Sequence, residues 1–386
     1  MMYPGYDSEW LAQHGAAHTA QEIAQQPALW RKLSLALQAR EADDEAFLKP
    51  LFALPGLRVV LTGAGTSAYA GEAIAPWLSS QGLDARAVAT TDIVSNPLEY
   101  LNPEMPTLLV SFARSGNSPE SVAAVAVADQ LVKNVWHLIL TCNEEGELYR
   151  YAQQSDRACC HLMPEGSNDK SFAMTSSYSC MTLAAITLLG RLPRAVAVQQ
   201  VEQVASIVEE GMPKWADKVN TLAEMDYQRL VILGSGGLAG VAREASLKSL
   251  ELSAGRVVTA FESSLGFRHG PKFLIDGKTL VVQFFSSDEY TQQYDLDMFR
   301  EIHANGMTLS HLALVPGSVS GLEGESVAVA GEQLADIWLS FPYVVFAQML
   351  AMTKSLQLGL TPDNPCPTGE VNRVVQGVTI YPFATE

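Results

Sequence analysis

Apolar runs of five to seven residues alternate along this chain with longer segments of helical period, and most of the runs close on glycine or a small hydroxyl residue. In the first half, residues 58–62, 85–90, 108–112 and 136–141 read as strands; in the second, 229–233, 257–261, 279–284 and 310–315 do. Helical segments between them supply the crossovers that parallel pairing needs. The pattern predicts an α/β chain with two doubly wound parallel sheets. Residues 195–224 read as a helix joining the halves and 238–254 as a helix of the second half. The stretch 337–353 contains Pro342 and Gln348 and falls short of the ~20 apolar residues that span a bilayer, so it reads as a buried helix. Ahead of both sheets lies a helical arm, where Thr19-x-x-Glu22 suggests a capping box and Pro27 restarts the helix leading to Trp30 and Leu33. The expected division is an arm over 1–45, one domain over 46–200, a second over 201–358 and a tail over 359–386. The tail carries an apolar stretch, 374–381, that needs a packing partner and is expected to fold over the site.

Two glycine-rich elements, Gly63-Ala-Gly65-Thr-Ser67 and Gly234-Ser-Gly236-Gly237, each follow an apolar strand and open a helix. They lie 171 positions apart, and the same 171 separates Ser115 from Ser286 at the end of a later strand in each half. A shared offset implies two similar α/β units of domain size.

Composition narrows the function. With 48% hydrophobic and 17% charged residues the chain is an ordinary folded protein, and a net charge of −17 without a dense Lys/Arg cluster argues against nucleic acid as a partner. Any anionic ligand must then be held locally, by helix N-termini and by cations such as Arg114, Lys170, Arg268 and Lys272. The odd count of five cysteines, without C-x-x-C, fits a reducing, cytoplasmic setting. No histidine spacing argues for a metal site.

The densest chemistry sits in Ser111-Phe-Ala-Arg-Ser-Gly-Asn-Ser-Pro-Glu-Ser121. Gly116 permits a tight turn, Ser118 suits an N-cap and Pro119 the first helical position. A cap needs one hydroxyl. The others, with Arg114 beside them, are better explained by an anion held on backbone N–H groups and serine side chains. If the first and third strands end side by side, Thr66 and Ser67 join Ser115, Ser118 and Ser121 around one phosphate. The competing reading is a dinucleotide fold, since Gly63-Ala-Gly65-Thr-Ser-Ala68 and Gly234-Ser-Gly236-Gly-Leu-Ala239 satisfy a loose G-x-G-x-x-A fingerprint and Asp92 is available for a ribose. It leaves the hydroxyl cluster unexplained.

Together, Gly65-Thr-Ser67, Ser115-Gly-Asn-Ser-Pro-Glu-Ser121, Ala245-Ser-Leu-Lys-Ser-Leu-Glu251 and Arg268-His-Gly-Pro271 resemble the sugar isomerase (SIS) domain, present twice as in the isomerase half of glucosamine-6-phosphate synthase. Through Phe172-Ala-Met-Thr-Ser-Ser177, Gly266-Phe-Arg-His-Gly-Pro271 and Val371-Asn-Arg-Val-Val-Gln-Gly377 the likeness is closer to the galactosamine-6-phosphate deaminase/isomerases of bacterial amino-sugar catabolism. The resemblance implies that Glu251, which on residues alone reads as a surface Glu-Lys pair with Lys248, is the base that moves a proton between C2 and C1 of the opened sugar. It implies that His269 opens the ring and reaches across from a neighbouring subunit of a homodimer. Glu262 is a rival carboxylate, Arg268 a second anion partner, and Thr175 either a ligand contact or a helix cap. The synthase's tail lysine aligns with Gln376, which excludes Schiff-base help from that position.

The expected reaction is conversion of galactosamine 6-phosphate and water to tagatose 6-phosphate and ammonia. It needs no cofactor: the ester docks on Thr66, Ser67, Arg114, Ser115, Ser118 and Ser121, and Thr175, Lys248, Glu262, Arg268 and Gln376 complete the substrate set. The alternatives are a phosphosugar isomerase that releases no nitrogen and a non-catalytic sugar-phosphate sensor.

Overall fold

The computed structural model describes residues 3–330, 334–373 and 377–384. Five parallel strands form the first sheet: β1 (Arg58–Thr62), β2 (Asp84–Ala87), β3 (Thr107–Ala113), β4 (Val135–Thr141) and β5 (Ala158–Leu162), in the order β2-β1-β3-β4-β5. β3 is buried along its whole length, which is why its sequence is a continuous apolar run rather than an alternation. Leu109 and Ile139 pack there against Ala124 and Ala128 of the helix Pro119–Leu131.

The second sheet holds β6 (Arg229–Gly234), β7 (Val258–Glu262), β8 (Thr279–Phe284), β9 (Ser310–Val315) and β10 (Glu325–Ala328). Read from the β7 edge its order is β7-β6-β8-β9-β10, the same winding as the first, and every pairing is parallel. The glycine turns agree as well: Gly65 has φ 55° and ψ −128°, and Gly236 has φ 58° and ψ −129°. These φ values favour glycine. In both sheets the topology reverses between the first and third strands, where an open parallel sheet offers its ligand crevice.

The chain resolves into two compact units. One carries the first sheet with residues 29–168, 176–199 and 370–386; the other carries the second with residues 1–28, 169–175 and 200–369. These units are not the contiguous spans expected, because both the arm and the tail are divided. From residue 29 onward the arm packs with the first sheet, where Trp30 Nε1 donates to Ser179 Oγ at 2.9 Å. The capping box is not formed. Thr19 lies inside the helix Ala17–Ala24; its N–H and hydroxyl both donate to Asp363, at 2.7 and 2.8 Å, and Glu22 turns away to residues 170 and 171. A carboxylate from far along the chain has displaced the local cap.

β5 and β10 escape the sequence reading because they are short edge strands whose positions are mostly half-buried or exposed, so neither shows a continuous buried apolar run. β2 stops at Ala87, since the helix Thr90–Ser95 follows at once. In the tail, Phe383 packs on the first core, whereas Val378 and Tyr381 are exposed within the chain, Tyr381 by 80%. Among the described residues no helix is long and apolar enough to cross a membrane.

Candidate active site

The turns that follow the neighbouring parallel strands β1 and β3 carry the hydroxyl residues of the first sheet: Thr66 and Ser67 open the helix after β1, and Ser115, Ser118 and Ser121 lie in the turn and helix after β3. Ser118 caps the helix Pro119–Leu131, accepting from Ser121 N at 3.4 Å and donating to Ser121 Oγ at 2.6 Å, with Pro119 at the first helical position. Thr66, Ser67 and Ser121 are buried, and Ser115 and Ser118 half-buried. The β1 turn approaches its helix so closely that a Cβ on Gly63 would stand 2.5 Å from Ser67 Cβ and 2.6 Å from the Ser67 carbonyl carbon.

The β3 turn is buttressed by residues that sequence reading did not single out. Asn143 Nδ2 donates to the Ser115 carbonyl at 2.8 Å, Leu148 N to the Gly116 carbonyl at 3.1 Å, and Glu147 N to Asn117 Oδ1 at 2.9 Å. Gly116, at φ 63°, lies against Gly146. Such a turn presents its donors in a fixed arrangement, as an anion site requires. Arg114 is buried and donates through Nη2 to the carbonyl of Arg373 at 2.9 Å, which ties the tail to this turn.

The equivalent crevice of the second sheet is filled from within. The buried carboxylate of Asp295 accepts from Ser235 Oγ at 2.7 Å, Ser264 Oγ at 2.5 Å and Ser286 N at 2.9 Å. Asp336 accepts from Ser286 Oγ at 2.6 Å and from Ser287 N at 2.7 Å. Burial raises the Asp295 carboxyl above its ordinary range while the serine donors oppose the rise. Two internal carboxylates thus occupy the hydroxyl and backbone donors of this second crevice. No signal in the sequence marked Asp295.

The second unit also carries the acid/base candidates. Lys248 is buried in the helix Gly237–Leu252, with Nζ 2.5 Å from Glu251 Oε2 and 3.5 Å from the buried Glu244 Oε1. The surface Glu-Lys pair of the plain sequence reading is therefore a buried cation between two carboxylates, of which Glu251 alone reaches solvent. Glu262 ends β7 and accepts from Ser263 N at 2.8 Å. His269 is exposed just after the short helical turn Gly266–Arg268. Arg268 Nε donates to Glu301 Oε2 at 2.6 Å, and Lys272 pairs with the same carboxylate. Those two cations, Lys272 first, hold the Glu301 carboxyl below its usual range. Thr175 is fully buried, its N–H and hydroxyl bonded to Asp169 at 3.0 and 3.2 Å, so its polar groups serve the loop that carries it. Gln376 lies outside the described residues.

One grouping escaped the histidine spacing. Asp44, Cys159 and His161 bring one ligand-type atom each within 4.8 Å of one another. The Asp44 carboxylate there faces His161 Nε2 at 3.0 Å and Arg194 at 3.3 Å, and burial pushes the Cys159 thiol up to about 11.

Comparison with known proteins agrees with this architecture. Residues 55–190 match the SIS domain. The chain is 47% identical over 386 positions to the D-galactosamine-6-phosphate deaminase AgaS of Shewanella sp. (strain ANA-3), covering 97% of this chain and 95% of that one. It is 43% identical over 375 positions to the enzyme of the same name from Escherichia coli O157:H7, covering 95% and 96%. A solved tagatose-6-phosphate ketose/aldose isomerase from Escherichia coli superposes with a TM-score of 0.91 at 40% identity, over 99% of this chain and 100% of that one. Near-complete coverage at such identity leaves no large segment outside the match, and the chain belongs to the AgaS family of D-galactosamine-6-phosphate deaminases, built on the SIS domain.

Proposed function

We propose that this protein converts galactosamine 6-phosphate and water to tagatose 6-phosphate and ammonia. The ester binds at the β1/β3 turns, on Ser67, Ser115, Ser118 and Ser121 with Thr66 beside them, where backbone N–H groups and hydroxyls converge at a helix N-terminus. Holding the phosphate fixes the reacting carbons, so binding energy orients the chemistry. His269 opens the ring. Glu251 takes the proton from C2 and returns it at C1, turning the 2-amino aldose into a 2-imino ketose; water adds to the imine and ammonia leaves. The nitrogen comes from the substrate itself, so no lysine adduct is required.

The observation that carries this reading is Glu251, half-exposed on the same helix as a buried lysine, 2.5 Å from Nζ. The Lys248 ammonium holds this carboxylate in one orientation while part of it still reaches solvent, where a substrate carbon could be met. Glu262 remains the rival base. The protein works as a homodimer in the cytoplasm, with His269 serving the neighbouring subunit's site. In support, β7 is an edge strand bearing exposed Val258 and Phe261, and the His269 segment carries Leu265 and a 98% exposed Phe273, an apolar surface that asks for a partner.

Ammonia and ketose phosphate, measured together on galactosamine and glucosamine 6-phosphates, test the proposal. Equimolar release from the galactosamine ester is expected. If the aldose and ketose phosphates interconvert while nitrogen stays bound, the deaminase reading fails and the isomerase stands. No turnover of either kind would leave a sugar-phosphate sensor.

A further inference from the structure

β5 runs along an edge of the first sheet, and Cys159 and His161, two positions apart on it, share one face of the strand. Cys160, between them, packs on the first core. On the Cys159 and His161 face stands Asp44, from the helix Glu41–Phe52: its Oδ1 lies 3.0 Å from His161 Nε2, which lies 3.8 Å from Cys159 Sγ. The three residues belong to the unit that carries the first sheet. Asp44 and His161 are buried, and Cys159 is half-buried.

An ordinary ion pair accounts for only part of this arrangement. Arg194 donates to the other carboxylate oxygen, Oδ2, at 3.3 Å and is anchored on the Thr187 carbonyl, while Arg40 is turned to the Cys160 carbonyl at 3.0 Å. Asp44 Oδ1, fully buried, accepts no hydrogen bond among the described residues, although His161 Nε2 stands 3.0 Å away. Distance does not prevent that bond, so direction does. A buried orphan oxygen asks for a partner of another kind. Carboxylate, thiolate and imidazole together are zinc ligands, and at zinc bond lengths the ligand atoms of a tetrahedral ion stand roughly 3.3–3.6 Å apart. The separations of 3.0 and 3.8 Å straddle that range, and all three atoms lie within 4.8 Å of one another. One carboxylate and one thiolate neutralise the ion's two charges, and Arg194 on Oδ2 is the outer contact that steadies a carboxylate ligating through Oδ1. Asp44 also lines a cavity of about 480 Å³ with Glu41 and Glu45, whose carboxylates favour the approach of a cation.

We propose that Asp44, Cys159 and His161 hold one zinc ion, which fastens the helix Glu41–Phe52 to the edge strand β5. On binding, the Cys159 thiol gives its proton to solvent as the sulfur–zinc bond forms, and His161 ligates as a neutral imidazole through Nε2. Three protein ligands leave the fourth position to water. The role is structural, and the inference does not rest on the deaminase reading.

The test dialyses the full chain against a chelator, titrates it with zinc and with cobalt(II), and compares it with Cys159→Ser and, as control, Cys160→Ser. The unaltered protein is expected to bind one equivalent of zinc by calorimetry with a Kd of about 1 μM or below. Its Tm should rise about 5 °C at a hundredfold excess of zinc over Kd, and cobalt should give a thiolate-to-metal charge-transfer band. Cys159→Ser should weaken binding about a hundredfold and lose the band; Cys160→Ser should keep both. Should Cys159→Ser not fold, alkylation of the unaltered protein decides: saturating zinc should slow modification of Cys159 about tenfold, mapped by mass spectrometry, with Cys366 unaffected. Zinc that survives dialysis counts as bound, and the same variants must lose or keep it. Absence of zinc binding by the unaltered protein, an equal cobalt band in Cys159→Ser, or a Cys159 that zinc leaves unprotected overturns the proposal.

Discussion

Replacing Lys248 with methionine removes a cation buried between Glu244 at 3.5 Å and Glu251 at 2.5 Å, and keeps the length of the side chain. Breaking a buried ion pair by deleting one partner costs about 3–5 kcal/mol, because the remaining charge is left uncompensated in a weakly polarisable interior. Glu244 is fully buried and bears most of this; Glu251, 24% exposed at its side chain, recovers part from water. Urea unfolding at pH 8 should therefore show a loss near 3 kcal/mol. Glu251→Gln is the matched control. It leaves the Lys248–Glu244 pair in place and should cost only about 1 kcal/mol, while turnover falls by about 10²–10⁴-fold, the usual worth of a general base. A loss under about 1 kcal/mol for Lys248→Met at pH 8 would refute the compensated-charge argument. Full turnover by Glu251→Gln would remove the base and promote Glu262.

Gly63→Ala should abolish anion binding, because its Cβ would lie 2.5 Å from Ser67 Cβ and force the helix start away; titration with inorganic phosphate, measured as a rise in Tm, checks this, and an undiminished rise would contradict it. Burial, with His303 adding to it, pulls the His311 imidazole down from 6.5 to about 3. The folded chain thus refuses a proton that the unfolded chain accepts, and stability present above pH 6.5 drains away toward pH 3 at up to about 1.4 kcal/mol per pH unit. His311→Phe, retaining a ring to stack on Phe299, should flatten that slope in urea unfolding between pH 6 and 4; equal slopes would count against it.

The fold was legible where burial is two-sided. β1, β3, β4, β6, β8 and β9 stand within about a residue of their apolar runs, because a strand covered on both faces must be written in apolar residues. The edge strands β5 and β10 were not, since half their positions meet water. Local motifs succeeded where the chain closes on itself, as at Ser118 and Pro119. They failed where a distant group intervened: Asp363 supplies the cap that Thr19-x-x-Glu22 appeared to make, and Asp295 fills the second crevice from the helix Glu289–Asn305. A long-range carboxylate leaves no trace in nearby sequence. Arg268 shows the same limit, being engaged by Glu301, 33 positions away.

The most direct measurement is a crystal structure of the Glu251→Gln variant with galactosamine 6-phosphate bound. Phosphorus density enclosed by Ser67, Ser115, Ser118 and Ser121, with ester oxygens at hydrogen-bond distance of about 3 Å, is the predicted result. An ester lodged away from the β1 and β3 turns, or a nicotinamide nucleotide lying across them, would contradict it.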